Sequence, residues 1–316
     1  MESTVRVFIN SCLNLKLTNV KFPGAMPVSI DQTHIPRIRG VMPEKFTEYV
    51  TSTKLDGERF FMGLLNVNGH PNMFLVNRRF EVMCKRVSDV VHSDYFAGTL
   101  FDVEVIGIDI VIFDCITCCG QSVRHLSYLH RVELCRAFLH DCYNSEVVES
   151  NQYTVKSNFK THRVAITPTL ILNTKPVFHM QHVAQVSSQW PDDGLIFTEV
   201  AQPYEPYRSS ETTIFKWKPA HRITIDFEII PRNVHFTLSS EWPVQFMQLH
   251  GKSSLRLGTT IVSHIETSHK GICECYWEGV WIVIQTRPDK TKPNSLDTGI
   301  RTLQSIDAAI DINDFS

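Results

Sequence analysis

The chain has 316 residues, 43% of them hydrophobic and 20% charged, with nine cysteines and a formal net charge of −2. These values describe an ordinary globular protein long enough for about two domains and exclude a disordered or fibrous chain. They also leave no global positive field for nucleic acid, so any RNA contact must be local. The opening MESTVRVFINSCLNLKL has neither the basic start nor the long apolar stretch of a signal peptide. No run reaches the roughly 18 apolar residues of a membrane span. With an odd number of scattered cysteines, a reducing compartment and no membrane partner are expected.

In chain order, short β-rich apolar runs at Phe60–Leu65, Met73–Val76, Thr99–Ile106 and Ile108–Phe113 predict strands. A helix is predicted over Ser127–His140, where Leu126 and Leu129 open an apolar stripe that continues through Val132, Leu134, Phe138 and Leu139. Further strands are expected at Leu195–Thr198, Ile223–Ile230 and Gly279–Thr286, and a second helix over Thr302–Ile312. From about Pro231 the strands are broken by turns at His250-Gly251-Lys252, Leu257-Gly258 and His269-Lys270-Gly271. That is the pattern of a small barrel of about five strands, of which the OB-fold is the commonest attached to nucleic-acid enzymes. Strands with interspersed helices read as α+β. The boundaries expected are a first domain over 1–230, a barrel over 231–300 and a C-terminal helix, 301–316, packing back on the first domain.

The most informative stretch is Thr53-Lys54-Leu55-Asp56-Gly57-Glu58-Arg59, a K-x-D-G-x-R element just before an apolar run. A lysine attacks a phosphate only as the free amine, so its ordinary pKa of about 10.4 must be lowered by desolvation or by nearby cations. Arg59 is one such cation, and Gly57 permits close backbone approach. Alone, the same residues read equally as a charged surface turn.

K-x-D-G-x-R resembles the first motif of the covalent nucleotidyltransferases, which comprise the mRNA-capping guanylyltransferases and the polynucleotide ligases. Other segments resemble the later motifs in the same order. Asp102-Val103-Glu104 is similar to the usual D-G-E, whose Glu binds a ribose hydroxyl; Val103 in place of Gly is expected to crowd the backbone there. Ile110-Val111-Ile112-Phe113-Asp114 resembles the segment with a base-stacking aromatic, here Phe113. Asp193-Gly194-Leu195-Ile196-Phe197 resembles the motif whose acid works near the α-phosphate and metal. Phe215-Lys216-Trp217-Lys218-Pro219 resembles the one whose two lysines reach that phosphate. Lys216, Lys218 and Arg59 suit the charge of a triphosphate, and Asp193 and Glu104 suit Mg²⁺ or Mn²⁺.

Two segments point to the capping branch over the ligases. Phe22-Pro23-Gly24-Ala25-Met26-Pro27-Val28-Ser29 resembles the F-P-G-x-x-P-V-S segment of cellular-type capping enzymes, and Arg287-Pro288-Asp289-Lys290-Thr291-Lys292-Pro293-Asn294 resembles R-x-D-K-x-x-P-N of their OB domain, preceded by Trp277 and Trp281. The resemblance spans about residues 20 to 300. It implies a nucleotidyltransferase domain of antiparallel sheets with helices, akin to ligase and ATP-grasp-like folds, plus an OB-fold barrel. It implies GMP transfer from GTP through a lysyl adduct on Lys54 to the 5′-diphosphate end of RNA, with Arg287, Asp289 and Lys290 on the β- and γ-phosphates. Lys175 is the expected guanine reader, since a cation prefers the O6 and N7 acceptors of guanine. Arg78 is the expected sugar contact, preferred over Arg79. The alternatives are an ATP-dependent RNA ligase and a catalytically inactive RNA-binding scaffold.

No H-C-x-x-G-x-x-R phosphatase signature or methyltransferase fingerprint is present. The RNA triphosphatase and cap methyltransferase are therefore expected on other chains, with RNA polymerase as a further contact. The location implied is the nucleus for a cellular source and the replication site or virion for a viral one. Cys115, Cys118, Cys119, Cys273 and Cys275 lack a second C-x-x-C and are read as free thiols, not a zinc site.

Overall fold

The computed structural model describes residues 2–16, 22–40, 48–86, 92–143, 154–156, 169–207, 212–231, 246 and 251–315. The chain divides into two compact units, one formed by 1–28 and 36–217, the other by 29–35 and 218–315.

In the first unit, helix α1 (Glu2–Cys12) sets Val5, Ile9 and, just beyond its end, Leu13 at a spacing of four, so all three fall on one buried side. Strands β1 (Tyr49–Leu55), β2 (Glu58–Val67), β3 (His70–Asn77), β4 (Val82–Arg86), β5 (Thr99–Ile106) and β6 (Asp109–Cys118) follow. Helix α2 (Tyr128–Tyr143) then leads towards β7 (Thr169–Thr174), which pairs parallel to β6. After β8 (Phe178–His179) come β9 (Asp192–Glu199) and β10 (Ile214–Trp217).

Two sheets result. The larger has eight strands, running β4-β3-β2-β5-β6-β7 through its main members, with Thr154–Lys156 beside β7 and Gln121–Ser122 beside β6. The smaller runs β10-β9-β1-β8. Both faces of the larger sheet are covered, which explains its near-continuous apolar runs. Phe60, Met62 and Leu64 join Cys135, Phe138 and Leu139 of α2 in one core; Phe61, Phe74 and Val76 join Val5, Ile9 and Leu13 in another. β2 turns into β3 through Asn68-Gly69, both with positive φ, as a tight two-residue hairpin requires. Across that hairpin Gly63 pairs with Phe74, whose ring occupies the space of a side chain: a Cβ on Gly63 would lie 1.9 Å from Phe74 Cζ.

The second unit is built on β11 (Thr224–Pro231), β12 (Ser253–Leu257), β13 (Thr260–Ile265), β14 (Gly271–Trp277) and β15 (Trp281–Thr286), in the antiparallel order β13-β12-β11-β14-β15. Alternation along β11 sends Ile225, Phe227 and Ile229 into a core with Leu255, Leu257, Cys273 and Trp281. Helix α3 (Leu296–Asp307) covers that core with Leu303, helped by Leu296, Ile300 and Ile306. Ser295 caps it by accepting from the Thr298 N–H.

The fold is α+β with antiparallel sheets, as the sequence implies. Three details differ. Among the described residues nothing pairs β13 with β15, so the expected barrel is present as its five-stranded sheet; 232–245 and 247–250, including His250 of an expected turn, lie outside the described residues. The boundary drawn at residue 230 falls too late, because β11 is the central strand of the second unit. The C-terminal helix starts at Leu296 and buries its apolar side in the second unit's core, not on the first domain. Among the described residues no helix is long and apolar enough to cross a membrane.

Candidate active site

Lys54 is the last residue but one of β1 and the only one on that strand that is not buried. Its neighbour Leu55 is fixed against Val111 and Trp190. Opposite it, β9 is bulged. Pairing runs from Thr53↔Leu195 to Leu55↔Asp192, so the single residue Lys54 faces two, Asp193 and Gly194. Gly194 takes φ 150°, where a side chain is disfavoured. Beside this bulge Asp193 Oδ1 lies 2.6 Å from Lys54 Nζ, with the two side chains 19% and 24% exposed. Lys54 is thereby held by the Asp193 carboxylate.

Register places a second lysine on the same face. Ile196 pairs with both Ser52 on β1 and Lys216 on β10, and Lys54 lies two residues from Ser52. Lys218 opens the second unit; there, against the burial that raises the Glu274 carboxyl, hydrogen bonds from Gln285 and Thr224 and the charges of Arg287 and Lys218 hold it low.

The larger sheet supplies the other wall. Glu104 on β5 pairs in register with Arg59 on β2. Burial pushes its carboxyl up, opposed by the charges of Arg59, Lys175 and Arg78. Arg78, exposed in the turn after β3, therefore acts on the same carboxylate as the buried cations. Phe113 on β6 is half-buried and belongs to none of the apolar cores around it. Its ring lies 5.5 Å from the Arg59 guanidinium and 5.4 Å from Lys175 Nζ. Lys175 follows β7, its backbone N–H donating to the Ile112 carbonyl. Burial, reinforced by the charges of Lys54 and Arg59 and resisted by Glu104, lowers its amine to about 8.

Arg59 corrects the expectation that it is an open phosphate donor. It is buried, and its fork is occupied: Nε donates to Asp102 Oδ1 at 2.8 Å, Nη2 to Oδ2, and Nη1 to the Ala25 carbonyl at 2.7 Å. Tyr204 also donates to Asp102, and its hydroxyl accepts from the Ala25 N–H at 3.2 Å. The Phe22-Pro23-Gly24-Ala25 segment is thus fastened to the sheet, with Phe22 stacked on Phe61. Val103 is likewise corrected. It is fully buried in the core beneath α2, on the opposite side of β5 from Asp102 and Glu104, so it does not crowd their face. Gly57 has the space requirement expected of it, towards protein: a Cβ there would stand 2.6 Å from the Val105 carbonyl and 2.9 Å from Glu104 Cγ.

In the second unit Arg287, Asp289 and Lys290 follow β15 as one ion network. Arg287 Nη2 lies 2.7 Å from Asp289, Nη1 3.2 Å from Asp226 and 3.7 Å from Glu274; Lys290 also pairs with Asp226. The Arg287 hydrogen bond holds Asp289 at about 2. Asn294 closes the motif on the same residue, its side chain accepting from the Asp226 N–H and its own N–H donating to the Asp226 carbonyl. Trp277 and Trp281 meet edge to face at 5.2 Å, with Trp281 buried on Phe227.

Residues 1–220 match the family of the mRNA capping enzyme, catalytic domain, and residues 211–315 match mRNA capping enzyme, C-terminal domain. The chain belongs to the mRNA capping enzyme family. It is 26% identical over 318 residues to an mRNA-capping enzyme of Danio rerio and 25% over 314 residues to that of Mus musculus, covering 90% of this chain and 47% of each relative. It is 23% identical over 252 residues to the mRNA-capping enzyme subunit alpha of Saccharomyces cerevisiae, covering 72% of this chain and 51% of that one. The chain thus spans about half the length of the curated relatives it matches. Among solved structures, it resembles an ATP-dependent DNA ligase from bacteriophage T7 in complex with ATP, with TM-score 0.40, 11% identity, and coverage of 88% of this chain and 99% of that one.

Within the capping-family motifs, sequence reasoning passed over the partners that organise the charges. Asp226 was visible only as one acid on the polar side of an alternating strand, and Tyr204 carried no local signal at all. A divalent cation fits the first unit only in part. No group of three potential ligands is preassembled among the described residues, but Mg²⁺ commonly binds through one or two carboxylates together with substrate phosphates. Asp193 and Glu104 are available for that.

Proposed function

We propose that this chain is an mRNA guanylyltransferase that takes GMP from GTP onto Lys54 and passes it to the 5′-diphosphate end of an RNA. The observation that carries the reading is the Lys54–Asp193 pair at 2.6 Å, within the segment matched by the capping catalytic domain and beside Glu104, Phe113 and Lys175. Asp193 keeps the Lys54 side chain aimed, and the lysine attacks as its free amine. The amine nitrogen attacks the α-phosphorus, the bond to the bridging oxygen breaks, and pyrophosphate leaves with the electron pair. In the second step an oxygen of the RNA diphosphate attacks the same phosphorus, the P–N bond breaks, and Lys54 recovers its proton.

Phe113 is assigned to stack on guanine and Lys175 to read its acceptor edge, with Glu104 and Arg78 on the sugar and Lys216 and Lys218 on the α-phosphate. Arg287, Asp289 and Lys290 are assigned to the leaving phosphates. Asp193 and Glu104 would hold Mg²⁺ or Mn²⁺, which would neutralise developing charge on the phosphates. RNA triphosphatase, cap methyltransferase and RNA polymerase are the proposed partners of this step. The test incubates the protein with Mg²⁺ and α-labelled GTP or ATP, beside Lys54→Ala. Acid-labile label from GTP, absent in the variant, is expected. Label from ATP alone points to a ligase, and label from neither overturns the catalytic reading.

A further inference from the structure

We propose that Cys115, Cys118 and Cys119, at the end of β6, form a thiol-redox site at which a hydroperoxide oxidises Cys118 and Cys119 resolves the product as a reversible vicinal disulfide. Neighbouring side chains on a regular strand point to opposite faces and do not meet. Here β6 ends at Cys118, and the chain turns through Cys119 and Gly120 with φ of 49° and 79°. The turn is pinned by the Cys119 N–H donating to Thr99 Oγ1 at 3.0 Å and the Gly120 N–H to the Gly98 carbonyl at 2.7 Å. It brings the two adjacent thiols together, with Sγ atoms 3.9 Å apart. Both are half-buried, so a small oxidant reaches them, whereas Cys115 and Cys135 are sealed in the core beneath.

The cluster also sorts its thiols by reactivity. The neighbouring Cys115 thiol, with Cys119 helping and burial opposing, lowers Cys118 to about 7, while Cys115, whose thiol donates to the Thr117 carbonyl at 3.6 Å, is itself pushed well above its ordinary value by burial. Burial raises Cys12 to about 11 and Cys142 and Cys275 to about 12. Thiolate, the reactive form, is therefore concentrated at Cys118. The Cys118 thiolate attacks one peroxide oxygen, the O–O bond breaks, and hydroxide or alkoxide leaves, giving a sulfenic acid. The Cys119 sulfur then attacks that sulfur, the S–S bond forms and water departs; two electrons pass from the thiols to the peroxide. Adjacent Cα atoms are about 3.8 Å apart, short of the roughly 4.4–6.8 Å of ordinary disulfides, so this bond is strained and readily reduced by thiols.

The test treats the full-length protein at pH 7 with limiting hydrogen peroxide, blocks remaining thiols with light iodoacetamide, reduces, labels with heavy iodoacetamide and maps each cysteine. Cys118 and Cys119 should convert together, on the order of tenfold faster than Cys12, and return to thiols with dithiothreitol. Cys119→Ser should stop at a sulfenic acid on Cys118 that dimedone traps. The proposal is overturned if Cys118 and Cys119 retain light label while other cysteines oxidise, or if Cys118→Ser leaves oxidation of Cys119 unchanged.

Discussion

Arg59 shows how a motif residue can be committed to its own fold. Its guanidinium neutralises Asp102, which is wholly buried, and holds the Ala25 carbonyl. Removing one partner of such a pair strands the other charge, at a cost of about 3–5 kcal/mol. Arg59→Ala is therefore expected to lower the unfolding free energy from denaturant titration by that amount, whereas an open phosphate-binding arginine would lose activity with stability intact. Lys175 offers a test with a sign. Its amine sits at about 8 in the folded chain, so the unfolded chain, near the usual value of about 10.4, binds more protons between those limits. Stability should rise with pH across that window, as the penalty of a buried ammonium disappears. Denaturation of wild type and Lys175→Met from pH 7 to 10.5 checks this: the variant should lose the rise.

At the level of elements, the strands that carry the site were legible because their apolar runs are rich in β-branched and aromatic residues. β2, β3, β5, β6, β9, β11 and β15 all fall on predicted runs. What could not be read was cross-strand register, which pairs Arg59 with Asp102 diagonally and sends Val103 the other way. Nor did local sequence announce the bulge at Asp193-Gly194. α1 was missed, although Val5 and Ile9 bear the spacing, because Val7 and Phe8 stand between them and blur the helical stripe, and the stretch is short. The Gly63–Phe74 pairing gives an element-scale prediction. A methyl group added by Gly63→Ala displaces the Phe74 ring within the core it shares with α1 and should destabilise by about 1–3 kcal/mol, read by thermal unfolding.

For the whole molecule, the two units have separate cores, and α3 belongs to the second through Leu303, which is fully buried. Leu303→Ala should cost about 2–5 kcal/mol through the cavity it leaves. Calorimetry is expected to resolve this as a shift in the second unit's transition with the first unit's unchanged; a uniform shift would mean that the cores unfold as one. The division of the motifs follows the same line. Lys54, Asp193 and Lys216 lie in one unit, Lys218 and the Arg287–Lys290 network in the other, so the proposed chemistry draws on charges from both.

The bulge opposite Lys54 has one more implication. From Leu195 onward β9 pairs regularly with β1, and its apolar residues are already matched to the buried side. A chain shortened by one residue at Gly194 would heal the ladder without disturbing that pattern, and would set Asp193 directly across from Lys54 on the same face. The partnership of amine and carboxylate is thus written into the register on either side of the irregularity, so a descendant that lost Gly194 would keep both its shape and this charge pair.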